Sequence, residues 1–341
     1  MIGVLAAAAA LAALIIRPFS GLIADRYDRN RIILLTQFGT AIVLVLYIIA
    51  PGIEVLIALR LAQGLLFGLG STAIATVAIK TIPEDIIGRG VGILTITGIS
   101  GQAIAPIIGI SIVEKWSFTV LFIFTCIIAL AAALFVFATR AGKSAPKAKG
   151  SGRARITLKD LFAVEATGLL VLTFIIGMAI ALPANYIVLF AHTRDIPHIG
   201  LFFTVNTIAV IVMRIFGSGL VDKYSYRQIL PFCAALSATS LAIIGASYSF
   251  PPICIAAILL GVGFGLSSPT LLANMIRVVR PERVGTASAT YYFGFDLAFA
   301  VGPIAMGLIA ESTSYSTGFF IFIIPTLIAI PLTLLFSRKQ V

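Results

Sequence analysis

Apolar stretches long enough to cross a lipid bilayer follow one another along almost the entire chain, and no other feature constrains its folding so tightly. Eleven can be marked: 1–23, 32–50, 54–79, 88–113, 117–139, 161–191, 198–222, 228–249, 252–279, 285–311 and 315–337. A hydrocarbon layer about 30 Å thick takes about 20 apolar residues in helical form. Lipid cannot bond to backbone N–H and C=O groups, so segments buried in it become helices, whose backbone bonds are internal. Of the 341 residues 60% are hydrophobic and 11% charged, with a mean hydropathy of +1.12; soluble domains carry about 25% charged residues. A water-soluble globule is excluded. The sequence predicts an all-α integral membrane protein with eleven transmembrane helices, an odd number that puts the two termini on opposite sides. Residues 1–16 lack the charged start of a signal peptide and run on into a charged loop, so they belong to the first spanning helix.

The breaks between the stretches carry the charge. The 24 Lys and Arg outnumber the 13 Asp and Glu, a net charge of +11 that in a soluble protein would point to nucleic acid. Here the excess is sorted by side. Arg26, Arg29 and Arg31, Lys80 and Arg89, seven residues within 140–160, Lys223 and Arg227, Arg277, Arg280 and Arg283, and Arg338 with Lys339 place 19 basic residues in one set of alternate breaks, against two, Lys115 and Arg194, in the other. By the positive-inside rule the first set is cytoplasmic, so the linker and the C-terminus lie inside and Met1 outside, with no nucleic-acid partner implied. Residues 140–160, RAGKSAPKAKGSGRARITLKD, have no apolar period and read as a flexible basic linker. It separates a helical bundle over 1–139 (five helices) from a second over 161–341 (six helices). Cys126, Cys233 and Cys254 sit inside apolar stretches without metal-ligand or redox spacing and read as buried thiols. His192 and His198 have no ligand cluster around them, there is no P-loop, and GVGFG at 261–265 lies in mid-helix rather than after a strand. No metal, cofactor or nucleotide is expected.

The chain also repeats itself. RPFSGLIADRY at 17–27 returns as RIFGSGLVDKY at 214–224, an offset of 197 at which Arg17, Phe19, Asp25 and Tyr27 recur as Arg214, Phe216, Asp222 and Tyr224, and Arg26 as Lys223. Parallel repeats about an axis along the membrane normal are one way transporters are built, with the substrate held between the halves. GLIADRYDRNR at 21–31 resembles the loop signature between helices 2 and 3 of the major facilitator superfamily, G-x-L-x-D-R-x-G-R-R. Gly21, Asp25, Arg26 and Arg29 match, while Ile23, Asp28 and Asn30 depart. RLAQG at 60–64 is similar to the family's helix 4 signature, R-x-x-Q-G. GQAIAPIIG at 101–109 is similar to the helix 5 signature of its proton-coupled exporters, G-x-x-x-G-P-x-x-G, with Gly101, Pro106 and Gly109 in place and Ala105 departing. FFTVNTIAVIVMR at 202–214 and FDLAFAVGP at 295–303 also resemble the efflux-permease branch. The resemblance implies two pseudo-symmetric bundles of the major facilitator type in an inner or plasma membrane. It aligns the first helix here with family helix 2, so the first of twelve helices is expected to be missing.

Several residues then invite specific readings. Asp25 ends a helix, where the macrodipole disfavours an anion. Its partner is either the nearby Arg26, Arg29 and Arg31 or the N-terminus of the helix beginning at Gly285, which the resemblance sets against it as a cytoplasmic latch; alternatively these are solvated charges that only mark topology. Arg17, Gly21 and Asp25 share one stripe, with Gly21 allowing close approach. By the repeat, Asp222, followed by Lys223, faces the helix starting near Gly88. Arg60 lies about 9 Å inside the outer end of its helix, a depth at which a charge faces the bundle interior or a wet cavity, and Gln63 is one turn on. The resemblance implies proton coupling or substrate contact for Arg60; snorkelling toward the interface is the other reading. Asp296 lies about 16 Å from the helix start at Gly285, where the protonated form is favoured unless a cation pairs with it. It is either a proton carrier or half of a structural ion pair. Arg17 and Arg214 either snorkel or bond between helices. Pro106 with Gly101 and Gly109 predicts a kink with a close helix contact. Asn185, Tyr186 and Asn274 fall in stretches that the resemblance makes cavity-lining, and read as substrate contacts or interhelical bonds.

These readings predict a secondary transporter that exports a small organic solute in exchange for protons, with the bilayer as its other partner. A sugar or metabolite symporter or uniporter of the same family, and an inactive N-terminally truncated fragment, are the alternatives. An intramembrane enzyme would need a Ser/His pair, paired Asp or HExxH at membrane depth, and the sequence has none.

Overall fold

A computed structural model of the protein describes residues 2–50, 52–139, 157–217 and 219–338. Each apolar stretch is helical, and there is no strand among the described residues. The helices are α1 (Ile2–Arg26), α2 (Arg29–Ile49), α3 (Ile53–Lys80), α4 (Ile87–Lys115), α5 (Phe118–Thr139), α6 (Thr167–His192), α7 (Leu201–Gly217), α8 (Tyr226–Ala246), α9 (Phe250–Arg277), α10 (Val284–Ser312) and α11 (Tyr315–Arg338). Among the described residues nine of them are by length and composition long and apolar enough to cross a membrane; α4 is not one of these, and α7 is shorter, with 17 residues.

Their ends differ from the apolar stretches for local reasons. Asp28 caps α2, accepting from the Asn30 amide at 2.9 Å, and Ser225 caps α8, accepting from the Arg227 amide at 3.3 Å. The α1 helix runs on to Arg26, which puts Asp25 in its last turn. The stretch marked 198–222 starts at Leu201 because Asp195 and His198, at φ 50° and 58°, turn the chain through the left-handed region before it. It also stops at Gly217, so Asp222 sits in a separate turn, Leu220–Lys223. The stretch marked 161–191 becomes helical at Thr167, after a turn at Leu158–Leu161 and a 3₁₀ turn at Val164–Ala166. Most of the expected linker, residues 140–156, and Lys339 lie outside the described residues. Inside the helices Thr40, Thr76, Thr173, Thr270 and Thr333 donate to the carbonyl four residues back, which satisfies hydroxyls that lipid could not.

The chain divides into two compact units, neither of them continuous in sequence. The first comprises Met1–Thr81, Ile104–Val164 and Val279–Asp296; the second comprises Ile82–Ala103, Glu165–Val278 and Leu297–Val341. In the first, α1 and α3 pack through Gly64 and Gly68, where a Cβ would run into the Ala9 carbonyl and the Ile16 side chain. In the second, α7 and α9 do the same through Gly261 and Gly265, whose Cβ atoms would lie 2.7 Å from Ala209 Cβ and 2.8 Å from Met213 Cβ. These two glycine pairs are again 197 residues apart. The second unit also has an apolar core of Leu182, Phe190, Leu241, Ile244, Ile253 and Phe319, with Phe190 edge-on to Phe319 at 5.5 Å between centroids. Large apolar side chains such as Ile15, Phe135, Phe216, Ile304 and Leu308 are exposed, as a lipid solvent permits and water does not.

Candidate functional site

The Asp25 carboxylate is held by the N-terminus of α10. Its Oδ1 accepts from the Gly285 amide at 2.7 Å, and its Oδ2 accepts from the Thr286 amide at 2.7 Å and the Thr286 hydroxyl at 2.8 Å. First-turn amides have no acceptor within their own helix and sit at its positive end, so an anion at the unfavourable end of α1 finds the favourable end of α10. Gly21 permits the approach: a Cβ there would lie 2.7 Å from both Thr286 Cα and Ala289 Cβ. Of the expected partners, the helix terminus binds Asp25 and the arginines do not. Arg26 reaches Asp160 at 3.9 Å and Arg31 reaches Asp28 at 3.8 Å. Arg29 is buried, and its Nε and Nη2 have no hydrogen-bond partner among the described residues.

Asp222 repeats the arrangement in the second unit. Its Oδ1 accepts from the Gly88 amide at 2.8 Å and its Oδ2 from the Arg89 amide at 2.9 Å, at the start of α4. Arg277, at the end of α9, adds an ion pair at 2.7 Å to Oδ1. Lys223, which follows Asp222 in sequence, lies over the Tyr224 ring at 5.5 Å. Arg277 was not singled out as a site residue, yet a signal for it exists. Carried past residue 27, the 197-residue offset pairs Phe67, Ser71, Lys80 and Gly88 with Phe264, Ser268, Arg277 and Gly285.

Two turns back along α1, Arg17 is 2% exposed and pairs with Asp296 of α10, Nε to Oδ2 at 2.7 Å. Its Nη1 donates to Ser71 Oγ at 2.7 Å and to the Gly68 carbonyl at 3.2 Å, and its guanidinium lies over the Tyr292 ring at 4.7 Å. Arg17 therefore bonds between helices instead of snorkelling. In the other copy of the repeat, Arg214 is equally buried, donates to Ser268 Oγ at 3.2 Å and lies over Phe264 at 5.2 Å.

Arg60 is exposed and does not meet Asp296. It donates to Gln63 Oε1 at 3.2 Å, which also accepts from the Tyr47 hydroxyl at 3.0 Å, and its guanidinium lies over the Tyr47 ring at 5.7 Å. Tyr47 stacks on Phe122 at 5.4 Å. Among the described residues the close contact expected around Pro106 is not made at its glycines: Gly101 has nothing within 4 Å, and Gly109 meets Leu121 Cδ1 at 3.9 Å. Tyr186 donates to the Pro303 carbonyl at 2.7 Å, an interhelical bond. Asn185 and Asn274 donate to the Ala181 and Thr270 carbonyls of their own helices, both at 2.8 Å. Two surface grooves of about 330 and 280 Å³, on α7/α9 and on α2/α5, are apolar and contain none of these residues. No cluster of three or more His, Cys, Asp or Glu that could hold a metal occurs among the described residues.

The sequence profile of the Major Facilitator Superfamily matches residues 1–198 and 169–340. Similar proteins include the uncharacterized MFS-type transporter YuxJ of Bacillus subtilis, 24% identical over 91% of this chain and 81% of its own. Another is the multi-drug resistance efflux pump PmrA homolog of Lactococcus lactis, 25% identical over 90% of this chain and 77% of its own. Among solved structures, the human organic anion transporter MFSD10 (TETRAN) superposes with a TM-score of 0.85 at 15% identity, covering 97% of this chain and 83% of that one. The transporter FucP in its outward conformation gives 0.76 at 14% identity, covering 100% and 90%. These likenesses establish the fold.

Proposed function

The chain belongs to the Major Facilitator Superfamily and is a membrane transporter, not an enzyme, and from that premise we propose that it exports a small organic solute in exchange for protons by alternating access. The bundles over 1–139 and 161–341 rock about the membrane midplane in the inner membrane, with the 140–160 linker and the C-terminus cytoplasmic and Met1 outside. The distribution of basic residues, 19 against two, supports this orientation. Export is supported by the exporter-like segment around Pro106 and by the multidrug efflux pumps among its relatives.

The observation that carries proton coupling is the Arg17–Asp296 pair. Arg17 is 2% exposed and Asp296 26% exposed, so the cation depends on its carboxylate while the carboxylate remains open to water. A buried charge stripped of its partner costs about 3–5 kcal/mol. A proton on Asp296 removes the charge that holds Arg17, so protonation and the closed arrangement of α1 on α10 compete for one carboxylate. Asp25, let against the start of α10 by Gly21, forms the cytoplasmic latch of the first repeat, with Arg29 nearby and Arg26 paired to Asp160, and Asp222 with Arg277 forms that of the second, with Lys223 turned onto Tyr224. Arg60 with Gln63 handles charge nearer the outer face, and Asn185, Tyr186 and Asn274 belong to the substrate cavity. The test is ethidium uptake into inverted vesicles under an imposed pH gradient, for the parent and Asp296→Asn. The parent should concentrate the dye in response to the gradient and Asp296→Asn should not. Parent flux indifferent to the gradient would sink the antiport reading. A uniporter or symporter on the same fold is the second reading, favoured by Ala105 in the exporter-like signature and the open space beside Gly101; transport unchanged in Asp296→Asn supports the uniporter.

A further inference from the structure

The far end of the linker is fastened where α1 meets α10. The Thr157 amide and hydroxyl donate to Asp160 Oδ2 at 2.9 and 2.8 Å, which closes the turn and holds the Asp160 carboxyl below the usual carboxylate range. Asp160 faces Arg26, in the last turn of α1, at 3.9 Å, with both side chains about a third exposed. From Phe162 the contacts change helix. Arg283, just before α10, donates to the Phe162 carbonyl at 3.0 Å, and the Phe162 ring stands edge-on to Phe293 of α10 at 5.1 Å. The Ala163 amide donates to Thr290 Oγ1 at 2.9 Å, and Ala163 is buried. The segment thus holds the start of α10 through two hydrogen bonds and a ring pair, while against α1, close to which the Leu158–Leu161 backbone also runs, its one polar contact among the described residues is a long, half-exposed ion pair. Such pairs contribute little. These are the same two helices that Asp25 joins through Gly285 and Thr286.

We propose that Thr157–Ala163 is a strap across this junction, which rides on α10, lets go of Arg26 when α1 and α10 separate, and so holds back that separation. The strap rests on alternating access at this junction and is independent of proton coupling. The strength of its two grips decides which side is released: the weak bond to Arg26 breaks before the bonds to Arg283 and Thr290.

The test uses spin labels on Tyr27→Cys and Glu282→Cys, both exposed positions, with Cys126, Cys233 and Cys254 replaced by Ala. Double electron–electron resonance in lipid nanodiscs then reads the distance across the junction. Asp160→Asn should raise the ratio of long to short distances about two- to fivefold, the range of a partly exposed ion pair. Phe162→Ala, which costs the strap its ring pair on α10, should raise it by no more than Asp160→Asn does, because a strap that rides on α10 holds the junction only through Arg26, and Phe162→Tyr, which keeps the ring, should stay near the parent. Distributions unchanged in both Asp160→Asn and Phe162→Ala overturn the strap. If Phe162→Ala does not fold, Asp160→Asn decides alone, because it alters a partly exposed group outside the core. Asp25→Asn in the same labelled background separates the two levels. If Asp25→Asn widens the junction and the strap variants do not, only the strap fails; if none of them does, this junction is not the gate and alternating access there fails as well.

Discussion

Replacing Asp25 by Asn probes what secures the start of α10. The carboxylate accepts from Gly285 N, Thr286 N and Thr286 Oγ1 at 2.7–2.8 Å. Hydrogen bonds to a charged group contribute about 1.5–3 kcal/mol each, and the positive end of the helix adds about 0.3–1 kcal/mol. The amide keeps one good acceptor but turns an NH₂ toward the donors of Thr286, so the loss is about 2–3 kcal/mol. At 1.4 kcal/mol per decade this is about a 30- to 150-fold change in the bound population. Hydrogen exchange of the Gly285 and Thr286 amides reads it directly, because amides in the first turn have no acceptor in their own helix. Their exchange should accelerate by that factor in Asp25→Asn, while the Gly88 and Arg89 amides, held by Asp222, stay as they were. Unchanged protection at Gly285 and Thr286 would mean that something other than the carboxylate shelters them, and the latch would fall.

Two further outcomes follow from the same contacts. Gly21→Val should destabilise the protein by about 1–3 kcal/mol, read as a lower thermal unfolding midpoint, because its Cβ would lie 2.7 Å from the Thr286 backbone; Gly101→Ala, with open space around it, should leave the midpoint unchanged or raise it. Arg277→Ala should speed exchange at Gly88 and Arg89 about two- to fivefold, a part-exposed ion pair's share, whereas Lys223→Ala should not, since Lys223 lies on Tyr224 instead of Asp222.

Which parts of this site are visible in the sequence depends on whether they follow from position along a helix or from rotation about it. Asp25 ends α1 and Gly285 starts α10, so the dipole argument offers that terminus as one partner and the family resemblance, which sets the two helices side by side, singles it out without any knowledge of side-chain direction. Asp222 and Gly88 follow by the repeat. The Arg17–Asp296 bond joins residues 279 apart. Counting turns sets the two at comparable depths, but only the rotation of both helices makes them partners, and sequence carries no direct record of that. Arg60 shows the same limit: its depth leaves the bundle interior, a wet cavity and snorkelling all open, and only its rotation, which exposes it over Tyr47, narrows them. Tyr47 and the Thr286 side chain escape a motif search because each bonds through a hydroxyl whose direction is set by packing.

The repeat also sorts the charges by what they are for. A charge present in both copies serves something both copies need. Arg17 and Arg214 are each buried against a serine and a phenylalanine of the glycine-paired helix, and Asp25 and Asp222 each bind the first amides of a helix. Lys80 and Arg277 occupy matching helix ends. These are duties of the architecture, and their loss would disturb any carrier built this way, whatever it moved. Asp296 and Arg60 have no such counterparts, since the offset of 197 pairs them with Ile99 and Ala257. A buried or membrane-depth charge is costly, and one that the symmetric scaffold does without in its other copy is maintained for a different reason. That is why the coupling experiment belongs at Asp296 and the gating experiments at Asp25 and Asp222. A defect from Asp25→Asn would report only that the closed arrangement had loosened, while loss of the pH response in an Asp296→Asn protein that still moves its solute would isolate the coupling step.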